Sequence, residues 1–175
     1  MNLIINGIAN SSFNEFETQL EEATHTDSKY FKLRDMNINY CQGCWDCWVK
    51  TPGKCPLKDD YEQILSAIPS ADLVTVITPV IAGYESSLVK TFSDRMIPIV
   101  HPYIERYKGE MHHKQRYINN PNYKLIVLED EYTTEEDIIA IKELYERMML
   151  NFRAQLIEVV TLKKGVDFTH VIDDI

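Results

Sequence analysis

Apolar positions along this chain change period several times, and each change marks a predicted element. Leu3-Ile4-Ile5 is a short continuous apolar run that stops at Asn6-Gly7, after which Phe13, Phe16 and Leu20 recur at helical spacing. The pattern predicts strand, loop and helix, with Ser12 and Glu15 as a capping box at the helix start. Tyr30 to Leu33 reads as a weaker second strand, and Pro52-Gly53 supplies turn chemistry beyond it. Tyr61, Ile64, Leu65 and Ile68 form the stripe of a short helix, opened by an Asp59/Glu62 capping box and ended by Pro69. Leu73-Val74-Thr75-Val76-Ile77 is nearly continuous and β-branched, as a parallel strand covered on both faces requires. Leu88, Val89, Phe92 and Met96 then predict a helix, and Lys124 to Leu128 a fourth strand. Ile138, Ile141, Leu144, Tyr145, Met148 and Phe152 predict the longest helix, capped by Thr133 with Glu136, and Leu156 to Leu162 a fifth strand.

Strands of the buried type alternating with amphipathic helices predict an α/β fold with a doubly wound parallel sheet and helices on both faces. A single domain is expected across residues 1–175. Sheets of this kind take ligands at the carboxyl ends of their strands, beside the switch point, so the loops after the first, third and fourth strands are the ones to inspect. The stretch 98–122 is rich in Pro, Tyr, His and Asn and too long for an ordinary connection. It is expected to cover a site or to form an oligomer contact.

Composition narrows the partners. A hydrophobic share of 45% in 175 residues suffices for a core without disulfides. The formal charge of -9, from 27 acidic and 18 basic residues, opposes nucleic-acid and membrane-surface binding and leaves a small ligand or a protein as the expected partner. The segment Met1 to Gly7 lacks a basic stretch followed by a long apolar one, and no apolar run reaches the roughly 18 residues of a membrane span. A cytoplasmic location is expected, where thiols stay reduced and clustered cysteines read as metal or redox ligands.

The loop after the first strand carries Asn10, Ser11 and Ser12 at a helix N-terminus, where N–H groups and hydroxyls suit a phosphate, although a plain N-cap explains them equally well. The loop after the third strand, Pro79, Val80, Ile81, Ala82 and Gly83, offers main-chain groups to the edge of a planar ring. Within residues 40–56, Cys41, Cys44 and Cys47 stand at C-x2-C-x2-C spacing and Cys55 follows, itself followed by Pro56. That triplet with a later Cys-Pro favours an iron–sulfur cluster over a zinc site, which separates two pairs by a longer span. A thiol pair at Cys44 and Cys47, or small buried residues without a ligand, are the other readings. Trp45 and Trp48 read first as core or interface aromatics. His112-His113 with Lys114 and Arg116 could meet an anion or a nicotinamide phosphate, but adjacent histidines on a solvated loop are the plainer reading, as is a solvated loop end for Glu129 to Glu131.

The ordered block Cys41-Gln42-Gly43-Cys44-Trp45-Asp46-Cys47, Thr51-Pro52-Gly53-Lys54-Cys55 and Lys58-Asp59-Asp60, followed by Thr78-Pro79-Val80, Gly83, Lys90 and Asp94-Arg95, resembles the iron–sulfur flavoproteins and their flavodoxin-like NAD(P)H-dependent FMN reductase relatives. The resemblance implies a flavodoxin-like sheet of order 2-1-3-4-5. It also implies FMN held at its phosphate by the first loop and at its isoalloxazine ring by the third-strand loop, with a [4Fe-4S] cluster on the four cysteines near the flavin. Electrons would come from NAD(P)H or a reduced carrier, in an FMN-dependent oxidoreductase or electron-transfer flavoprotein, and relatives of this kind are often homo-oligomers. Three stretches depart from the family pattern: Ile8-Ala9-Asn10 replaces a longer Ser- and Gly-rich loop, Ile81-Ala82 stands where an aromatic pair is common, and Glu129-Asp130-Glu131 sets carboxylates near the ring. These departures keep a second reading open, a cofactor-free flavodoxin-like binding protein.

Overall fold

Strand β1 (Asn2–Asn6) sits centrally because Leu3, Ile4 and Ile5 are all fully buried and must be covered on both faces. A computed structural model of the chain describes residues 1–9, 13–24 and 28–164. Helix α1 (Asn14–Ala23) follows β1, then β2 (Ser28–Lys32), a 3-10 turn at Leu33–Asp35, and the short α2 (Asp46–Val49) inside the cysteine segment. Helix α3 (Tyr61–Ala67), β3 (Leu73–Pro79) and α4 (Ser87–Asp94) come next. The hairpin β4 (Val100–Tyr107) and β5 (Glu110–Gln115) precedes β6 (Asn122–Glu129), α5 (Glu135–Phe152) and β7 (Leu156–Lys163).

The main sheet runs β2-β1-β3-β6-β7, every described pairing parallel. Counting only its own strands, this is the expected flavodoxin-like order 2-1-3-4-5. Alternation along the strands divides the core. Leu3, Ile5, Val74, Val76, Leu125 and Val127 face α3, α4 and α5, whereas Ile4, Ile77, Ile126 and Leu128 face Phe16 and Leu20 of α1. The order in which strands are added reverses at the β1/β3 neighbours, β2 lying to one side and β6 and β7 to the other, so the loops after those strands part there. Gly7 N–H still donates to Ile77 O at 2.8 Å and Val80 N–H to Leu128 O at 3.1 Å, tying the strand ends together.

The stretch 98–122 differs from the expected loop. Its Lys108-Gly109 pair, at φ +49° and +87°, forms a two-residue hairpin turn that sets Tyr107 opposite Glu110. Pro102 lies where the register shifts between Val100 and Ile104, a position that a two-stranded ribbon tolerates.

Two capping assignments shift as well. The box on α5 belongs to Thr134 and Asp137, because Thr133 is drawn into a local turn with the Asp130 carboxylate. Asp59 accepts from Tyr61 N–H at 3.2 Å, but Glu62 pairs with Lys58 and the second Asp59 oxygen turns to a buried arginine. The predicted box at Ser12 lies outside the described residues. No helix among those described is long and apolar enough to cross a membrane.

Candidate functional site

The cysteine segment leaves β2 without regular structure, so its shape depends on side-chain contacts. Asp60 Oδ2 accepts from Asn37 N–H at 2.7 Å, and Asp59 Oδ2 accepts from Asn39 N–H at 2.9 Å and Asn39 Nδ2 at 3.0 Å. Gly43 and Trp45 both take left-handed conformations, φ +61° and +62°, which turn the chain on either side of the second cysteine, Cys44. Helix α2 carries Cys47, and the tight turn after it is closed by Gly53 N–H to Cys47 O at 3.0 Å and Lys54 N–H to Thr51 O at 2.8 Å, with Gly53 at φ +84°.

All four cysteines line one narrow cleft, together with Trp45, Arg95, Ile97 and Pro98. Cys41 and Cys44 are exposed, Cys55 half-buried and Cys47 buried. Burial, and then the neighbouring Cys55, Cys44 and Cys41, push the Cys47 thiol up to about 11. The shift places the other three thiols near Cys47, all on the lining of the same cleft. No group of three or more His, Cys, Asp or Glu side chains among the described residues closes on a single point as one metal ion requires. An iron–sulfur cluster is held differently, one thiolate to each separate iron, so an all-sulfur set spread around a cleft fits that group better than a lone zinc ion.

One wall of the cleft is the C-terminal end of α4. Arg95 is 2% exposed, and its Nη1 donates to Asp59 Oδ2 at 2.5 Å and to Asn39 O at 3.1 Å, while Nη2 donates to Cys55 Sγ at 3.2 Å. Its guanidinium lies 4.4 Å over the Tyr61 ring, and Tyr61 Oη donates to Phe92 O at 3.0 Å. Burial of the Asp59 carboxyl opposes ionisation, but hydrogen bonds from Arg95 and Asn39 outweigh it and hold the group at about 2.

Ile97 and Pro98, on the turn that leads into the hairpin, form another wall. Trp48 Nε1 donates to Ile97 O and Val100 O, both at 3.0 Å, and its ring lies 5.0 Å from Trp45 and 5.1 Å from His113. Arg116 Nε donates to Pro98 O at 2.8 Å, and His113 Nδ1 contacts His101 O at 2.9 Å. His112 is buried, with Asn151 on Nδ1 and Glu110 on Nε2, and Arg147 completes that group at 2.6 Å from Glu110. His112 and His113 lie on β5 and Arg116 just after it, all three with internal partners rather than on the solvated loop expected, and Lys114 alone of the four is exposed.

The ring loop is a tight turn. Ile81 and Tyr84 exchange hydrogen bonds at 2.8 and 3.1 Å around Ala82 and Gly83, which take φ +50° and +74°. Val80 is buried, whereas Ile81 and Ala82 are exposed and Pro79 ends β3. Ser86, the N-cap of α4, donates to Gly7 O at 2.9 Å and receives no bulk from Gly7, where a Cβ would stand 2.0 Å from Val89 Cγ2. The loops after β1 and β3 are thus fastened side by side. Asn10, Ser11 and Ser12, the expected phosphate contacts, lie outside the described residues.

The ring loop and the cysteine cleft are joined through one helix. Ser86 at the ring loop and Arg95 at the cysteine cleft cap opposite ends of the eight-residue α4, which is about 12 Å long. Sequence reading also missed the Asp59–Arg95 pair. Its members stand 36 positions apart, and no periodic pattern links them.

No protein-family model matches the chain. It is 35% identical over 80 residues to an iron–sulfur flavoprotein of Archaeoglobus fulgidus, a match covering 46% of this chain and 32% of that protein. Over 73 residues it is 36% identical to an iron–sulfur flavoprotein of Methanocaldococcus jannaschii, covering 42% and 37%. The matches span about a third of those relatives' lengths. Among solved structures, an FMN-dependent NADH-azoreductase from Bacillus anthracis in complex with FMN superposes with a TM-score of 0.57 at 14% identity, over 99% of this chain and 92% of that one. At that identity the likeness carries the fold alone, which is flavodoxin-like, and the similarity to iron–sulfur flavoproteins holds over nearly half of the chain.

Proposed function

We propose that this chain is an FMN-dependent oxidoreductase or electron-transfer flavoprotein whose Cys41, Cys44, Cys47 and Cys55 carry an iron–sulfur cluster. The observation that carries the reading is the convergence of the four thiols on one cleft beside a flavodoxin-like sheet. When bound, FMN supplies two-electron exchange with a nicotinamide or a reduced carrier, and the cluster supplies single-electron exchange. Asn10, Ser11 and Ser12 would meet the FMN phosphate, and Pro79, Val80, Ile81, Ala82 and Gly83 the ring. Because Val80, Ile81 and Tyr84 commit their N–H groups within the fold, the ring edge would meet the turn through Ala82 and Gly83. The Ser86 to Gly7 bond keeps the two loops in fixed relation, so phosphate and ring contacts are set by one helix cap.

Trp45 lines the cysteine cleft and stacks on Trp48, which anchors that side of the cleft to the fold. Arg95 offsets the negative charge of the thiolates within the same wall. A reducing cytoplasm is the compartment in which such thiols stay available. Burial of Cys47 weighs against a Cys44/Cys47 thiol switch, since an exchanging thiol must be reached by its partner.

Anaerobic purification with a visible spectrum and iron and sulfide analysis tests the reading, joined by calorimetric titration with FMN. Iron and sulfide on the four-cysteine protein, with FMN bound at micromolar affinity or tighter, is the expected result. A colourless protein that takes up neither cofactor on reconstitution overturns it in favour of a cofactor-free scaffold.

A further inference from the structure

Arg95 is a buried cation, and its contacts reach both ends of the cysteine segment. Nη1 holds Asn39 O, two positions ahead of Cys41, and Nη2 holds Sγ of Cys55, the last of the four. The planar fork makes this bridge. A guanidinium presents donors in two directions from one rigid plane, which an ammonium cannot do. Its own position is fixed from three sides: Asp59 pairs with Nη1, the Tyr61 ring lies beneath, and the Arg95 N–H donates to Phe92 O at 3.1 Å at the end of α4. The cation therefore stands between a carboxylate on one branch and a cysteine sulfur on the other.

We infer that Arg95 is a positioning residue for the four-cysteine site: it holds the Asn39 carbonyl and the Cys55 sulfur in place before loading, and it raises the reduction potential of the cluster bound there. The inference rests on the cluster reading above. Reduction adds one negative charge to the cluster, so an N–H donor and a positive charge at one of its sulfurs stabilise the reduced form more than the oxidised form. At 1% side-chain exposure the charge is little screened by salt, which keeps this bias at working ionic strength.

The test compares wild type, Arg95→Gln and Arg95→Lys after anaerobic reconstitution, with iron and sulfide content, a redox titration followed by electron paramagnetic resonance, and thermal unfolding. In Arg95→Gln the one-electron equilibrium is expected to move about tenfold toward the oxidised form, a potential about 59 mV lower. Arg95→Lys keeps a cation for Asp59 but loses the second planar donor, so its unfolding midpoint should return toward wild type while its potential stays between those of Arg95→Gln and wild type. That split distinguishes tuning from support. Wild-type protein that loads normally beside variants titrating at its potential overturns the inference alone, as does a Lys variant in which stability and potential recover together. If Arg95→Gln does not fold, Arg95→Lys decides: a wild-type potential there overturns the role. Wild-type protein that takes up no iron or sulfide overturns the cluster reading, and this role with it.

Discussion

Replacing Asp59 by Asn removes the charge that Arg95 faces while keeping the shape of the side chain. Both partners are buried, with side-chain exposures of 0% and 1%, so the pair is shielded from solvent screening. The carboxyl is held at about 2 against an ordinary 3.8, which by linkage contributes about 2 kcal/mol of stability at neutral pH. Removing one partner of a buried pair also strands the other charge, a loss that reaches about 3–5 kcal/mol in other proteins. The introduced amide would retain an oxygen for Asn39 N–H, so a loss of about 2–4 kcal/mol is expected. The pH dependence has a definite sign. Because the folded carboxyl titrates below the unfolded one, its contribution is complete above pH 3.8 and disappears as pH falls toward 2. Urea unfolding of the reduced, cofactor-free protein at pH 7 and at descending pH, followed by circular dichroism, should show a gap between wild type and Asp59→Asn that narrows below pH 4. Equal stability at pH 7, or a gap that ignores pH, refutes the assignment of this pair as an ionised, buried brace.

Three further outcomes follow from the same structure. In a timed alkylation of reduced protein read by mass spectrometry, exposed Cys41 and Cys44 should label first and buried Cys47 last, and equal rates would contradict the burial of Cys47. Gly7→Ala should destabilise by about 1–3 kcal/mol or more in a denaturant titration, since its Cβ would stand 2.0 Å from Val89 Cγ2 and 2.9 Å from Ile77 O; a wild-type midpoint would mean that α4 sits further from β1. Tyr145→Phe removes the hydroxyl that donates to buried Glu85 at 2.6 Å, at a cost of about 1–3 kcal/mol. Burial already pushes the Glu85 carboxyl up, so its ionisation weighs against folding as pH rises, and losing the Tyr145 donor should widen the stability gap with rising pH; a constant gap would place the hydroxyl elsewhere.

The parallel sheet was legible because its strands are written locally. Leu73-Val74-Thr75-Val76-Ile77 and Leu125 to Leu128 are continuous apolar runs, and only a strand covered on both faces uses such a run in so few residues. The β4–β5 hairpin was not, although Lys108-Gly109 marked its turn. Its strands carry His101, Glu105, His112 and Lys114 on a ribbon that is half in solvent, so neither face shows the alternation that betrays a strand. Capping residues were found to within one position on α5, where Thr133 and Thr134 compete and the Asp130 carboxylate decides which is free to cap.

The cysteine site divides along the same line. Spacing within 15 positions points to the side chains proposed to bear the chemistry, because thiolates that share a cluster need short links between them. It cannot show what holds those links still. Residues 36–45 form no helix or strand, and their geometry is imposed by Asp59 and Asp60 at the start of α3 and by Arg95 at the end of α4. Those helix ends are in turn set by Tyr61 and Phe92, which pack 6.2 Å apart in the core. The order of the site is therefore borrowed from the sheet through two helix termini. This explains why the same helix that fixes Cys55 at one end fixes Gly7 and the ring loop at the other: the 12 Å of α4, roughly, couples the candidate flavin loops and the cysteine cleft as one rigid span, and a shift of that helix against β1 would move both sites together.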